Sequence, residues 1–437
     1  MKSHALNAEF EEISLDGMKS QDLSVIIPTV SATKNSRYGT HAYYFFNAKT
    51  QKSVCVRIRH RDIILPGIQG LSEANYKKYK ILPKIRLLFQ KYHYGFNFPE
   101  QIMLMTVPHT ITDIGDGRFI ISLWSYFGYI VIDMRARTAM YCMLDRQDIA
   151  NHVFGSKQWY EKRTDAVYYM TYSLKDSLKK TLDPAEKVFS RILKRNNKTG
   201  LEEEVWSGYF SDYMHDIMIS KDERFLVVCE MGRFSDKNGS LIPSQALILN
   251  QETQKAWLGY MVANSAHAQF DPNDPEIIYF SNHNFQFVHA PLWKLFKKGT
   301  YAIKFLGPAS VHKFRLTAEG PEEIGVFSEP DLFRLTNFQV FMHQGEKIIA
   351  ATGTPNFIFI ASAENMKLIK KIELKDADAP AFIGTIAASP DGDKLYIQTT
   401  RSFQILNLSD GQIDFVRSYD FNHICSNHLM VSKNTDW

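Results

Sequence analysis

Four of the 14 histidines stand where an imidazole could bind a metal ion. His109, His215 and His267 each begin an apolar, strand-like run, and an aspartate follows each of them seven residues later. His428 begins the last run of this kind. Four neutral imidazoles suit a divalent transition metal, and an octahedral ion would keep two positions for substrate, water or dioxygen. The pattern predicts a catalytic site for a divalent transition metal such as Fe, Mn, Zn or Cu.

A structural role for the same histidines stands beside this interpretation. A histidine at the start of a strand can hydrogen-bond a neighbouring repeat, and duplication would copy it. The repeats that begin near 335 and 384 have no matching histidine. That difference favours selective use of the side chain over a uniform structural role.

Two further residues are candidates for catalysis. His283 follows the strand-like sequence IIYFSN and could line the central funnel of the propeller. Arg233 is a candidate for binding a substrate carboxylate. Both predictions assume a small-molecule substrate.

Repeats provide the elements that would position these residues. Residues 384–419 form four short strands, rich in β-branched and aromatic residues and separated by SPDG and DG turns. Four antiparallel strands in about 40 residues is one blade of a β-propeller. The same pattern recurs in five other segments: 109–144, about 166–210, 215–262, 267–307 and 335–374.

A seventh blade is predicted from the two ends of the chain. The N-terminal part offers the strands LSVIIPTV, HAYYFFN and SVCVRIR, and NHLMVSKNTDW offers the missing one. Such pairing removes an exposed sheet edge. The sequence therefore predicts an all-β, seven-bladed β-propeller over residues 1–437, closed by its N- and C-terminal strands. Insertions near 71–98 and 173–200 are read as helical or loop segments that could contact a protein partner.

Composition excludes several classes of protein. The 437 residues carry 51 basic and 47 acidic side chains, a net charge of +4, which is too balanced to indicate nucleic-acid binding. No apolar run approaches the roughly 18 residues that a membrane span needs. The N-terminus has no apolar signal core, and the four cysteines lack the spacing of a disulfide or zinc framework. A cytoplasmic protein is expected.

At these histidines the chain resembles the carotenoid cleavage oxygenases. The sequence MHDI at 214–217 is similar to the second iron-ligand motif of that family, M-H-D-F. His109, with Asp113 and Gly117, resembles the first motif, and His428 resembles the last ligand. Members of that family are seven-bladed propellers that hold Fe(II) with four histidines and cleave conjugated double bonds with dioxygen.

The resemblance implies a set of roles for this chain. The iron ligands would be His109, His215, His267 and His428. Glu230 and Glu329 would be the candidates for carboxylates that support the ligands. The third family motif, with an Asn-Ala pair and a glutamate after its histidine, is replaced here by HAQFDPND.

A second resemblance is to the oligogalacturonate lyases. HAQFDPNDPEIIYF looks like their blade opening, and CSNHLMVS looks like their C-S-H-L-M-S segment, which places His428 at a manganese ligand. The final Gln and His cluster of that family is absent. Three hypotheses therefore stay open: an Fe(II) oxygenase, a Mn-dependent lyase or cyclase acting on a polar carboxylate, and a propeller that binds a protein without catalysis.

Overall fold

The fold was analysed in a computed structural model. The residues that the structure describes are 2–13, 24–31, 40–59, 62, 108–123, 128–143, 152–173, 175–176, 179–180, 183, 185–230, 240–262, 265, 267–287, 303–333, 335, 337–353, 356–374, 383–399, 402–418, 423–425, 429–433, 435 and 437.

The described part of the chain is almost entirely β-strand, and its sheets are the blades of a seven-bladed β-propeller. The chain divides into two compact units. The first consists of Met1–Tyr209, His289–Ala302 and Tyr419–Trp437, and the second of Phe210–Val288 and Ile303–Ser418. None of the described helical residues belongs to a helix long and apolar enough to cross a membrane.

The first unit begins with five strands near the N-terminus: β1 (Lys2–Ala5), β2 (Ala8–Glu12), β3 (Ser24–Ser31), β4 (Thr40–Asn47) and β5 (Lys52–Arg59). A sheet follows with the strands β6 (Pro108–Gly115), β7 (Arg118–Leu123), β8 (Gly128–Asp133) and β9 (Thr138–Met143). β1 joins this sheet as a fifth strand beside β9. The next blade contains β10 (His152–Glu161), β11 (Ala166–Ser173), β12 (Val188–Asn196) and β13 (Glu202–Phe210).

The second unit consists of four blades, each a four-stranded antiparallel sheet. The first, blade A, has the strands β14 (Met214–Ile219), β15 (Phe225–Glu230), β16 (Ser244–Asn250) and β17 (Ala256–Val262). The second, blade B, has β18 (Ala268–Phe270) and β19 (Ile277–Asn282), then a separate pair β20 (Phe285–Phe287) and β21 (Ile303–Phe305), then β22 (Ser310–Leu316) and β23 (Pro321–Ser328). The other two have β24 (Phe338–His343), β25 (Glu346–Gly353), β26 (Phe357–Ser362) and β27 (Leu368–Glu373), and β28 (Ile383–Ala388), β29 (Lys394–Thr399), β30 (Ser402–Asn407) and β31 (Ile413–Ser418).

The closing blade belongs to the first unit and confirms the predicted pairing of the chain ends. Its strands are ordered β2, β5, β4, β3, and β3 pairs on its other edge with β32 (His423–Cys425) and β33 (Met430–Ser432). Met430 lies opposite Ile26, and Cys425 lies opposite Thr29. The terminal strands therefore complete one sheet and cover its edge.

Blades A and B are held together by apolar side chains that alternate along their strands. Val227 and Ala246 of blade A pack with Phe270, Phe280 and Phe314 of blade B. Burying a phenylalanine of this kind contributes about 2 kcal/mol relative to leaving it exposed. This core fixes the first strands of the two blades against each other, and both strands begin at the predicted site.

Some expected blade boundaries were wrong. The blade expected from Ala166 begins earlier, with β10, and the expected insertion at 173–200 contains β12, which pairs with β11. In β12 the alternate residues Val188, Ser190 and Ile192 are buried, while Arg191 and Lys194 are partly exposed, so these basic residues belong to a strand and not to an insertion. The expected insertion at 71–98 lies outside the described residues.

Blade B also differs from the prediction. Its last two strands, β22 and β23, lie beyond the expected limit of 307, because β20 and β21 pair with each other instead of extending the blade. His312, which reads as a loop residue in the sequence, is therefore a residue of β22.

Candidate functional site

Two of the four predicted metal ligands are neighbours in the second unit. His215 lies in β14, and His267 immediately precedes β18, the first strand of the next blade. Their imidazole centroids are 5.2 Å apart, with the rings inclined at 60°. His215 is buried, and the side chain of His267 is 14% exposed. Two of the histidines that the sequence predicts as ligands therefore lie side by side.

His215 is the extra residue of a β-bulge. Met214 lies opposite Glu230 and Asp216 lies opposite Cys229, so two steps along β14 correspond to one step along β15. A bulge changes the direction of the side chain at the extra residue. The local geometry therefore gives His215 an orientation that regular alternation would not provide.

The register shows why the two histidines have the same spacing to an aspartate. In blade A the turn between the first two strands is closed by a hydrogen bond from the Ser220 N–H to the Phe225 carbonyl, five residues later. In blade B the corresponding bond runs from the Asp271 N–H to the Ile277 carbonyl, six residues later, so this turn is one residue longer. Counted from these turns, His267 corresponds to Asp216, not to His215. A longer turn in one blade and a bulge in the other produce the equal spacing.

His109 lies in a similar bulge in the first unit. Pro108 of β6 pairs with Leu123 and Ile111 pairs with Ile121, so His109 and Thr110 together face one residue of β7, Ser122. The Thr110 N–H donates to the Ser122 Oγ at 2.8 Å. The side chain of His109, and the whole of His428, lie outside the described part of the chain, so their roles as ligands stay predictions.

A carboxylate faces one ring nitrogen of His267. Oδ2 of Asp216 lies 3.6 Å from Nδ1 of His267, which is longer than a hydrogen bond but within the range of an ion pair. Only 6% of the Asp216 side chain is exposed. A metal-binding histidine commonly presents its second nitrogen to a carboxylate, which fixes the ring and raises its basicity. Asp216 is suitably placed for this role.

His283 extends the pair into a row of three rings. It follows β19 and is buried, and its ring centroid lies 6.1 Å from that of His267. The structure thus brings this predicted catalytic residue next to a predicted ligand. Arg233 lies outside the described residues.

Two buried carboxyl groups sit at the same end of blade A. Glu230 ends β15 and accepts three hydrogen bonds: from Ser211 Oγ at 2.6 Å, from the Asp212 N–H at 2.7 Å and from the Gln245 N–H at 2.7 Å. Both Glu230 and Asp212 are buried. Burial and, next, the charge of Asp212 raise the pKa of Glu230 to about 7, against the opposing effect of the three donors. This carboxyl group can therefore hold or release a proton near neutrality.

Sequence reasoning named Glu230 through a family resemblance but missed Asp212. Asp212 stands three residues before His215, and its local sequence, FSDYMHD, has no spacing that distinguishes it from a surface residue. Glu329, the other expected supporting glutamate, follows β23, and its carbonyl accepts the Leu332 N–H.

The described side chains alone do not complete a metal site. Within the described residues, no three His, Cys, Asp or Glu side chains are grouped as metal ligands. His215 and His267 fit a shared ion as two imidazole donors, with Asp216 behind one of them. His109 and His428, the other two predicted ligands, belong to the first unit, and their side chains are not described.

Comparisons with known proteins identify no family. No family model matches the chain, and no curated protein is similar to it. Among solved structures, similar chains occur in the mitotic checkpoint complex (TM-score 0.38, 13% identity, 61% of this chain and 65% of that one) and in Saccharomyces cerevisiae Sqt1 (0.41, 9%, 71% and 66%). The chain thus spans just under two thirds of each of these two. A third is hydrazine synthase of Kuenenia stuttgartiensis (0.45, 12%, 69% and 77%). No functional argument follows from likeness at this level.

Proposed function

We propose that the protein is a metal-dependent enzyme in which His215 and His267 bind one divalent transition metal ion. The observation that supports this most directly is their ring separation of 5.2 Å. Two imidazoles bound at adjacent positions of one ion have centroids about 5 Å apart, because the metal–nitrogen distance is about 2.1 Å. The carboxylate of Asp216 beside Nδ1 of His267 adds the support that a ligating imidazole commonly has.

The proposal completes the ligand set with His109 and His428, the two histidines predicted from sequence. A set of four neutral imidazoles leaves the full charge of the ion in place and suits Fe(II) among other divalent transition metals. When bound, such an ion would act as a Lewis acid and would offer open coordination positions to substrate and dioxygen. The preferred reaction is therefore oxygen-dependent oxidation of a small molecule.

The residues of this chain have separate roles in the proposal. Asp216 orients His267 and keeps a hydrogen on its Nδ1. His283, the third ring of the row, is available to take or return a substrate proton. The buried core of blades A and B holds the two strands that begin at the ligand histidines against each other.

A Mn(II)-dependent lyase or cyclase is the second candidate, and one observation favours it. Glu230 has a pKa of about 7 and lies opposite Met214, directly before His215. An acid–base group that titrates near neutrality suits proton abstraction next to a metal-bound carboxylate. Arg233 is proposed to bind that carboxylate in this alternative.

The test is elemental analysis of protein purified without a metal-affinity tag. We expect about one equivalent of iron per chain, lost in His215→Ala and in His267→Ala. His343→Ala is the matched control, because Nδ1 of His343 bonds the Gly392 carbonyl in another blade. That variant should keep its metal.

The outcomes separate the candidates. Stoichiometric manganese with activity that needs no dioxygen would favour the lyase. Absence of iron and manganese, even after anaerobic reconstitution with each ion, would contradict both enzyme proposals and leave a propeller that binds a protein partner.

A further inference from the structure

Blade B carries a second group of side chains suited to chemistry, apart from the histidine row. We call Ser310, His312, Glu323 and Asn282 the Ser310 cluster. They lie on three adjacent strands: Asn282 on β19, Ser310 and His312 on β22, and Glu323 on β23. Ser310 and His312 are two residues apart on one strand, so their side chains point to the same face.

The first three residues form a continuous hydrogen-bonded chain. Oγ of Ser310 lies 2.8 Å from Nε2 of His312, and Nδ1 of His312 lies 2.6 Å from Oε2 of Glu323. An ionised carboxylate can only accept, so Nδ1 must carry the hydrogen. In the neutral ring Nε2 is then the acceptor, so the Ser310 hydroxyl donates a hydrogen bond to it.

Glu323 therefore keeps the hydrogen of His312 on Nδ1. In this tautomer Nε2 can act as a base toward the Ser310 hydroxyl. This is the order of a nucleophilic hydroxyl, a general base and an orienting carboxylate. His312 also stacks on Phe314, with ring centroids 6.4 Å apart, which limits rotation of the imidazole. Each member of the chain is thus held by a neighbour.

Asn282 is the fourth member of the cluster. It lies directly opposite Ser310 in the pairing of β19 with β22, so the two side chains share a face of the sheet. Its Oδ1 accepts the Asn284 N–H at 3.3 Å, which directs the Nδ2 end of the amide away from that contact. An asparagine amide next to a nucleophile can stabilise an oxyanion.

We propose that the Ser310 cluster is an acyl-transfer site that takes small carboxylic esters. The Ser310 oxygen attacks the ester carbonyl carbon while its proton passes to Nε2 of His312. The oxyanion accepts a hydrogen bond from Nδ2 of Asn282. The carbon–oxygen bond to the alcohol then breaks, and the departing oxygen takes the proton from His312.

Water completes the cycle by the same route. It attacks the acyl-serine, gives a proton to His312 and releases the carboxylic acid, and the Ser310 oxygen recovers its proton. Ser310 is 6% exposed and Asn282 is 8% exposed, so only a slim acyl group reaches them. No metal takes part, which makes this site independent of the function proposed above.

The test is labelling of the full-length protein with a small alkyl fluorophosphonate. We expect one adduct per chain, located on Ser310 by peptide mass spectrometry and formed equally in the presence of a metal chelator. Ser310→Ala should remove it. Ser328→Ala is the control: Ser328 lies opposite Ser310 on β23, its hydroxyl donates to the Ala309 carbonyl, and labelling should proceed at the wild-type rate.

Two variants test the base and its orienting group. His312→Gln should slow labelling by about 10²–10⁴-fold, the usual contribution of a general base. Glu323→Gln should slow it by at least about tenfold at an unchanged unfolding midpoint. Glu323 is half-exposed, so this variant keeps the test valid should His312→Gln fail to fold. Absence of an adduct on Ser310 in folded protein, or equal rates in wild type and Glu323→Gln, would overturn the proposal.

Discussion

The carboxylate of Asp216 and the imidazole of His267 face each other across two adjacent blades, with Oδ2 3.6 Å from Nδ1. In strand register the two residues are equivalent, since each lies four residues before the one that closes the turn of its blade. The same position therefore carries a carboxylate in blade A and an imidazole in blade B. The bulge at His215 brings a second imidazole to this pair.

Asp216→Asn tests whether the carboxylate supports a ligand. The amide keeps the shape of the side chain but removes its charge, and we expect the affinity for the proposed metal to fall by about 10–100-fold. The measurement is metal competition against a chelator of known affinity. Asp274→Asn is the control, since Asp274 caps the β18–β19 turn by accepting the Glu276 N–H. Equal affinity in wild type and Asp216→Asn would show that the contact serves the fold alone.

The raised pKa of Glu230 predicts that stability depends on pH. The pKa of Glu230 is about 7 in the fold against 4.5 as its ordinary value, so the folded state binds its proton more tightly than the unfolded state does. The resulting stabilisation is complete below about pH 4.5 and is lost as the pH rises through 7. A shift of this size corresponds to about 3 kcal/mol, as an order of magnitude.

Glu230→Gln isolates this contribution because glutamine does not titrate. The difference in unfolding free energy, wild type minus Glu230→Gln, should fall by about 3 kcal/mol between pH 5 and pH 8. Urea unfolding at several pH values measures it. Glu252→Gln, at an exposed turn, should give a difference that stays constant. A constant difference for Glu230→Gln as well would mean that the carboxyl is ionised throughout.

Blade architecture was predictable from sequence because it depends on local signals. The SPDG and DG turns between runs of β-branched residues correctly predicted the four strands β28–β31, and the same pattern predicted the strands β14–β17. The prediction failed where the signal was ambiguous. In β12, lysines and arginines between buried residues resemble a polar helix, and in blade B the strands β20 and β21 look like its next two strands but pair with each other.

The candidate site was predictable only in part. Equal spacing identified His215 and His267 as a pair, although the bulge and the longer turn behind that spacing are visible only in the pairing of strands. The sequence identified Asp216 only as part of a motif. Its contact with His267 was not predictable, because the two residues belong to different blades and lie 51 positions apart in the sequence. Ser310 and His312 were not predictable as a site, since His312 resembles a loop residue in the sequence and Glu323 comes from another strand.

Lys347 and the buried carboxylate of Asp271 form an ion pair that predicts a large effect on stability. Nζ of Lys347 lies 2.7 Å from Oδ2 of Asp271, whose side chain is fully buried and also accepts the Tyr279 hydroxyl. Lys347→Met leaves that charge buried without its partner, so the unfolding free energy should fall by about 3–5 kcal/mol. Lys367→Met, at an exposed lysine of the same blade, should change it by less than about 0.5 kcal/mol.

A second substitution identifies the cause of that loss. Asp271→Asn removes the buried charge, so Lys347→Met combined with Asp271→Asn should be more stable than Lys347→Met alone. Chemical denaturation of the four proteins closes a double-mutant cycle. Additive effects of the two substitutions would show that the stability of this region does not depend on the pairing of these charges.

Asn47 predicts how firmly the C-terminal residues are held in the closing blade. Its Nδ2 donates to the carbonyl oxygens of Thr435 and Trp437, both at 2.9 Å, and the side chain is buried. The ring of Trp437 packs edge-on against Phe45, with centroids 6.0 Å apart. Asn47→Ala removes both hydrogen bonds and leaves two carbonyl groups without this donor. We expect a loss of about 2–3 kcal/mol in unfolding free energy, together with faster proteolysis near residue 430 than elsewhere.

Asn365→Ala, which removes a turn asparagine that accepts only locally from the Lys367 N–H, should leave that cleavage rate unchanged. Faster cleavage spread evenly over the chain in Asn47→Ala would mean that Asn47 stabilises the blade as a whole and does not anchor its terminal strand.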